Sequence, residues 1–134
     1  MRITVLIPKT EFDVSQQKRL GSLGDVVYSA SRRKYKMEEL VALAKDADIL
    51  APDPDNMGGF EKAKPRLTEL FKSMPRLKGV ALITTSYGWI DLEYCKKRGI
   101  PVANIPGYSR EAVAEHILGL LFALAKRIIV TDRR

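Results

Sequence analysis

Five short apolar runs set the frame for this chain: Ile3–Ile7, Asp25–Ser29, Asp48–Ala51, Lys78–Thr84 and Val102–Ile105. Between them lie stretches with helical spacing, at Asp13–Leu23, Met37–Ala47, Pro65–Met74 and Asp91–Arg98, and a last one runs from Ser109 to about Ile128. The runs are rich in Val, Ile and Leu with little polar alternation, the pattern of strands buried on both faces. Strands alternating with helices give a parallel, doubly wound sheet. Right-handed crossovers leave few strand orders, and 2-1-3-4-5 is the common one for five such units. The predicted fold is therefore α/β, with a five-stranded parallel sheet and helices on both faces.

Punctuation residues support these boundaries. Gly24 and Gly99 follow helical stretches, as chain-reversing glycines do, and Pro101 follows Gly99. Asp91 and Ser109 stand where helices need a cap. Pro65 is expected in the first turn of its helix, and 55–59 is expected as loop. Lys96, Lys97 and Arg98 crowd the negative end of the Asp91 helix.

At 134 residues the chain has room for one domain with a real core. With 46% hydrophobic and 29% charged residues it is too apolar for disorder. One cysteine excludes an internal disulfide and any multi-cysteine metal site. Met1 leads directly into a strand-like run, so no signal peptide is expected, and Ala112–Ala125 is too short to span a bilayer. The expected setting is cytoplasmic, with no membrane partner. The net charge of +7 permits non-specific attraction to phosphate, but the basic residues are spread along the chain. Nucleic acid is not the expected partner.

The last helix is unusual. Ile117–Ala125 reads Ile-Leu-Gly-Leu-Leu-Phe-Ala-Leu-Ala and is apolar on every side, where a surface helix would carry one apolar stripe. One sheet covers only one of its sides. Residues 1–107 are read as the sheet domain and 108–134 as a long terminal helix, folded back or exchanged in a dimer. Pro106–Tyr108 is the linking loop that would open for exchange. A deeply buried core helix is the plainer alternative.

Several short motifs between Leu77 and Arg127 occur together in fixed order: Ile90-Asp-Leu-Glu93, Lys97-Arg-Gly-Ile-Pro-Val102, Asn104-Ile-Pro-Gly107 and Ala112-Val-Ala-Glu-His116 with its leucine-rich tail. With them the segment resembles the D-isomer-specific 2-hydroxyacid dehydrogenases. Residues 1–76 agree in pattern, including Ala44-Lys-Asp-Ala-Asp-Ile-Leu50. The resemblance implies a flavodoxin-like substrate domain followed by an interdomain helix. In that family a second domain binds NAD(P) and carries the catalytic Arg, Glu and His. No Gly-x-Gly-x-x-Gly is present here: Gly21 and Gly24 lack a third glycine, and no strand precedes Gly58-Gly59. The chain is thus expected to supply no catalytic residue, to bind no cofactor alone and to be inactive alone. A non-catalytic, dimerising interaction module derived from the family is the alternative.

Candidate sites follow. Thr84, Thr85, Ser86 and Tyr87 lie after the fourth strand, in a loop at the sheet edge where parallel folds bind ligands. Free amides in such a loop can hold a carboxylate without a charged side chain. The resemblance assigns that task to the positions of Thr85 and Ser86. The family usually has Gly-x-Asp-Asn/His before Ile-Asp, where this chain has Ser86-Tyr-Gly-Trp89. The resemblance also places Ser109 and Val113 at the nicotinamide end of the cleft; their ordinary readings are a cap and a core position. His116 is expected as a hydrogen-bonded structural histidine, since no metal partners sit at ligand spacing. Cys95 is expected as a small core residue, and Arg32-Arg-Lys-Tyr-Lys36 as a solvated turn.

Two other α/β functions fit less well. Asp53, Asp55, Glu11 and Asp13 follow the third and first strands, as in a phospho-accepting receiver, but Ile105-Pro-Gly107 stands where that chemistry needs a lysine. The loop Pro8-Lys-Thr-Glu-Phe12 is too poor in hydroxyls and glycine to cradle a flavin phosphate.

Overall fold

The computed structural model describes residues 1–132. Five parallel strands form one sheet in the order β2-β1-β3-β4-β5, as the sequence predicts. They are β1 (Arg2–Pro8), β2 (Asp25–Ser29), β3 (Ile49–Ala51), β4 (Gly79–Ala81) and β5 (Val102–Ala103). The helices are α1 (Val14–Leu23), α2 (Met37–Ala44), α3 (Phe60–Lys72), α4 (Leu92–Lys97), α5 (Arg110–Ala125) and α6 (Ile128–Asp132).

The two faces of the sheet are unequally covered. Side chains alternate along β1, so Leu6 joins Leu50, Val80 and Leu82 in the larger core. There they meet Leu40 and Ala44 of α2, Leu67, Leu70 and Phe71 of α3, and Cys95 of α4. Ile3, Val5 and Ile7 point the other way, into a smaller cluster with Phe12, Val26, Tyr28, Ile49 and Ile83. On that side α1 buries none of its own residues. Phe12, Leu20, Leu23 and Ile105 instead line an open groove.

Polar contacts fix the ends of the elements. Asp13 caps α1 through a reciprocal pair with Gln16, at 2.8 and 2.9 Å. Asp91 Oδ1 accepts the Tyr94 amide at 3.0 Å and caps α4. The Arg98 guanidinium donates to the Phe71 and Met74 carbonyls, where α3 has run out of internal donors. At the amino ends of the strands the buried Asp48 accepts the Arg2 amide at 2.8 Å and pairs with Lys78 at 3.0 Å. It thereby ties together the entries to β1, β3 and β4.

Some boundaries differ from the sequence reading. Helix α3 begins at Phe60, not Pro65, and 55–57 is a 3-10 turn rather than open loop. Gly58 and Gly59, at φ 85° and 98°, end that turn and let a new helix start at once. Pro65 therefore sits inside α3, where its ring nitrogen forgoes one helical bond. Helix α2 stops at Ala44, and β4 and β5 pair over fewer residues than their apolar runs. The terminal helix ends at Ala125, and Arg127, at φ 50°, separates it from α6. The last two positions of 108–134 lie outside the described residues.

Helix α5 buries no residue. Its Ile117, Leu118, Leu120, Leu121, Phe122 and Leu124 are all more than half exposed.

Candidate functional site

The segment from Thr84 to Gly88 leaves the sheet just beyond β4, at the carboxyl ends of the strands. Short contacts to its neighbours hold it. Ile105 N–H donates to the Thr84 carbonyl at 3.3 Å. Asn104 Nδ2 donates to the Thr85 carbonyl at 2.8 Å. Trp89 Nε1 donates to the Ser86 carbonyl at 2.9 Å, and the Thr84 hydroxyl reaches the same oxygen at 2.7 Å. The Thr85 hydroxyl donates to the Ile105 carbonyl at 3.1 Å.

The carbonyls and threonine hydroxyls of the loop are thus engaged, and its amides are not. Among the described residues no acceptor pairs the N–H groups of Thr85, Ser86 or Tyr87. Thr85, Ser86 and Tyr87 are exposed, whereas Trp89 is buried beneath them, edge-on to Phe60 with ring centroids 5.8 Å apart. A row of unpaired amides is a place for an anion.

The other expected residues lie elsewhere or behave differently. Ser109 occupies the cap position of α5 but its side chain makes no cap bond. Val113 is 53% exposed and is no core residue, because α5 does not pack on the sheet. His116 is also exposed on α5, with no hydrogen-bond partner among the described residues, so it is not the tethered structural histidine its setting suggests. Cys95 is buried, and burial raises its thiol above the ordinary value, which leaves it unreactive. No group of three or more His, Cys, Asp or Glu among the described residues could hold a metal ion.

The run Arg32–Lys36 is not a plain solvated turn. Arg32 makes a two-pronged pair with Glu11 and lies 2.9 Å from the buried Asp53. Burial raises the Asp53 carboxyl despite that neighbour. Arg33 pairs with Glu39 and stacks 4.1 Å over the ring of Tyr35, which is itself buried. Asp53 is thus matched to a cation rather than open to a phosphoryl donor. The sequence of this run shows its charge signs but not the role of Arg32, whose partners Glu11 and Asp53 each lie 21 residues away.

The glycines do not form a dinucleotide cradle among the described residues. A Cβ on Gly24 would meet the Met1 carbonyl at 2.1 Å, so that glycine serves the chain's own β1 edge. A Cβ on Gly58 would touch the Lys34 side chain. Both close approaches are to the chain's own atoms.

Residues 10–126 match the family described as D-isomer specific 2-hydroxyacid dehydrogenase, catalytic domain. The chain belongs to that family. Among curated family relatives, a hydroxypyruvate reductase of Blautia hydrogenotrophica is 29% identical over 83% of this chain and 32% of its own length. Among solved structures, an acyclic imino acid reductase in complex with NADPH and D-Arg superposes with a TM-score of 0.77 at 29% identity, over 99% of this chain and 40% of that one. A D-lactate dehydrogenase from Aquifex aeolicus, complexed with NAD and lactic acid, gives 0.71 at 29% identity, over 99% of this chain and 36% of that one. The chain spans 32% of the first of these relatives and 36–40% of the two structures. No helix among the described residues is long and apolar enough to cross a membrane.

Proposed function

We propose that this chain is the substrate-domain half of an NAD-dependent D-2-hydroxyacid dehydrogenase, and that its β4 loop receives the substrate carboxylate. The observation that carries this reading is the row of unpaired amides at Thr85, Ser86 and Tyr87, at the ligand-binding edge of a parallel sheet. Hydrogen bonds from amides to a carboxylate are charge-assisted and stronger than neutral ones. They would hold the acid by its C1 end and leave C2 free for hydride exchange. NAD(P), when bound, supplies the hydride acceptor; its cradle and the catalytic Arg, Glu and His belong to another part of the enzyme. Lactic acid in one related structure is a ligand of the matching chemical class.

Titration of the 15N-labelled chain with pyruvate or glyoxylate tests this. The Thr85 and Ser86 amide resonances are expected to move with saturable dependence while β1 resonances stay fixed. Absence of movement in the loop would overturn the reading. The same chain is expected to leave NADH unoxidised in the presence of glyoxylate, pyruvate or hydroxypyruvate. Turnover that tracks the purified chain would show that the chain is complete as a catalyst.

A second reading rests on α5, which exposes seven large apolar side chains and buries none of its residues. Apolar area of this extent marks an interaction surface. The segment Ser109–Ile128, built on α5, would pack on a second copy, by exchange about Pro106–Tyr108, or on a nucleotide-binding domain. Gly107 at φ 71° gives that loop its turn. Light scattering during size exclusion separates the two: a dimer mass that persists on dilution is expected for exchange, and a monomer mass excludes it.

A further inference from the structure

Three consecutive peptide units of the β4 loop are each held by the carbonyl, and each donor comes from outside the unit. The unit joining Thr84 to Thr85 accepts from Ile105 N–H, the unit joining Thr85 to Ser86 from Asn104 Nδ2, and the unit joining Ser86 to Tyr87 from both Trp89 Nε1 and the Thr84 hydroxyl. All peptide bonds among the described residues are trans. In a trans unit the N–H points opposite to the C=O. A donor that pins the carbonyl therefore also aims the N–H, and aims it away from itself. The N–H groups so directed are those of Thr85, Ser86 and Tyr87, the ones left without an acceptor.

We propose that Asn104 and Trp89 are positioning residues for the carboxylate loop: each pins one carbonyl and so presents and strengthens the amide on the other side of the same peptide unit. The proposal rests on the reading of this loop as a carboxylate site and adds the residues that give it its shape. Two physical effects act together. Donation to a carbonyl polarises the whole unit and makes its N–H a better donor. A loop fixed beforehand also loses less conformational freedom when the anion binds. Tyr87 N–H enters as a third donor, beside Thr85 and Ser86. Neither Asn104 nor the buried Trp89 needs to touch the acid.

Trp89 is the sole tryptophan, so its indole N–H gives one unambiguous resonance. Pyruvate is the probe. In the unaltered chain, pyruvate on the Tyr87 amide makes the Ser86 carbonyl a better acceptor, so the indole N–H resonance moves downfield in step with occupancy. The Asn104 side-chain amide moves with it. A residue that merely packs would show neither movement.

Two variants remove the donors without adding charge. Asn104→Leu keeps side-chain size, and Trp89→Phe keeps an aromatic ring against Phe60. Each is expected to weaken pyruvate about two- to tenfold, the worth of one hydrogen bond. Unshifted β1 resonances show that the variant is folded. Binding in the unaltered chain with a still indole resonance, or with equal Kd in folded variants, overturns the positioning role and leaves the carboxylate site standing. No perturbation of Thr85 and Ser86 in the unaltered chain overturns both. The indole readout needs no variant, so a substitution that fails to fold does not remove the test.

Discussion

Asp48 shows how much a single buried carboxylate can organise. It sits just before β3 and receives the Arg2 amide, Lys78 and, at 3.6 Å, Arg76. The Arg2 amide and the Lys78 ammonium lower its carboxyl from the ordinary 3.8 to about 2. A carboxyl held lower in the folded chain than in the unfolded one adds stability that is fully present above about pH 4 and lost as pH falls toward 2. Asp48→Asn is therefore expected to melt below the unaltered chain at pH 7, with the gap closing between pH 4 and pH 2. Melting curves across that range check it, and a pH-independent gap would contradict it. Nothing in the local sequence marks Asp48 for this task. Its partners come from the start of β1 and the approach to β4, and spacing along a chain does not reveal contacts made only by folding.

At the scale of elements, the short and strongly apolar strands were legible because a parallel sheet leaves them no polar side. Sheet order followed from handedness and chain rhythm. Boundaries were less legible where two signals competed: Pro65 looks like a helix opening, yet Gly58 and Gly59 let α3 start earlier and carry the proline inside. The β4 loop was legible by position, and its supports only in part. Trp89 stood out as a departure from the usual pattern, while Asn104 lies 19 residues from the carbonyl it holds. Arg98 was read as a charge near the end of its own helix, and it in fact closes the end of α3. Arg98→Ala is expected to cost about 2 kcal/mol, the range of a hydrogen bond to a charged donor. Urea unfolding with an unchanged slope measures it. A loss within a few tenths of a kcal/mol would mean that water replaces the guanidinium there.

For the whole molecule, the imbalance between the two sheet faces governs where stability resides. The α2–α4 face is sealed by fully buried Leu40, Leu67, Leu70 and Phe71, whereas α1 buries none of its own residues and α5 stands clear. Local opening is cheapest where few apolar contacts must break. Hydrogen exchange is expected to reach the amides of α1 well before those of α3, and equal protection would show that something else covers the α1 face. Strand order carries a different consequence, for synthesis. β1 is made first yet lies between β2 and β3. While a ribosome is still short of Ile49, the emerging chain can offer β1 only one neighbour, and a lone pair of strands is marginal in water. The central strand must wait for later residues to enclose it. A chaperone that samples nascent chains would meet Ile3–Ile7 short of a second neighbour until Ile49–Ala51 has emerged.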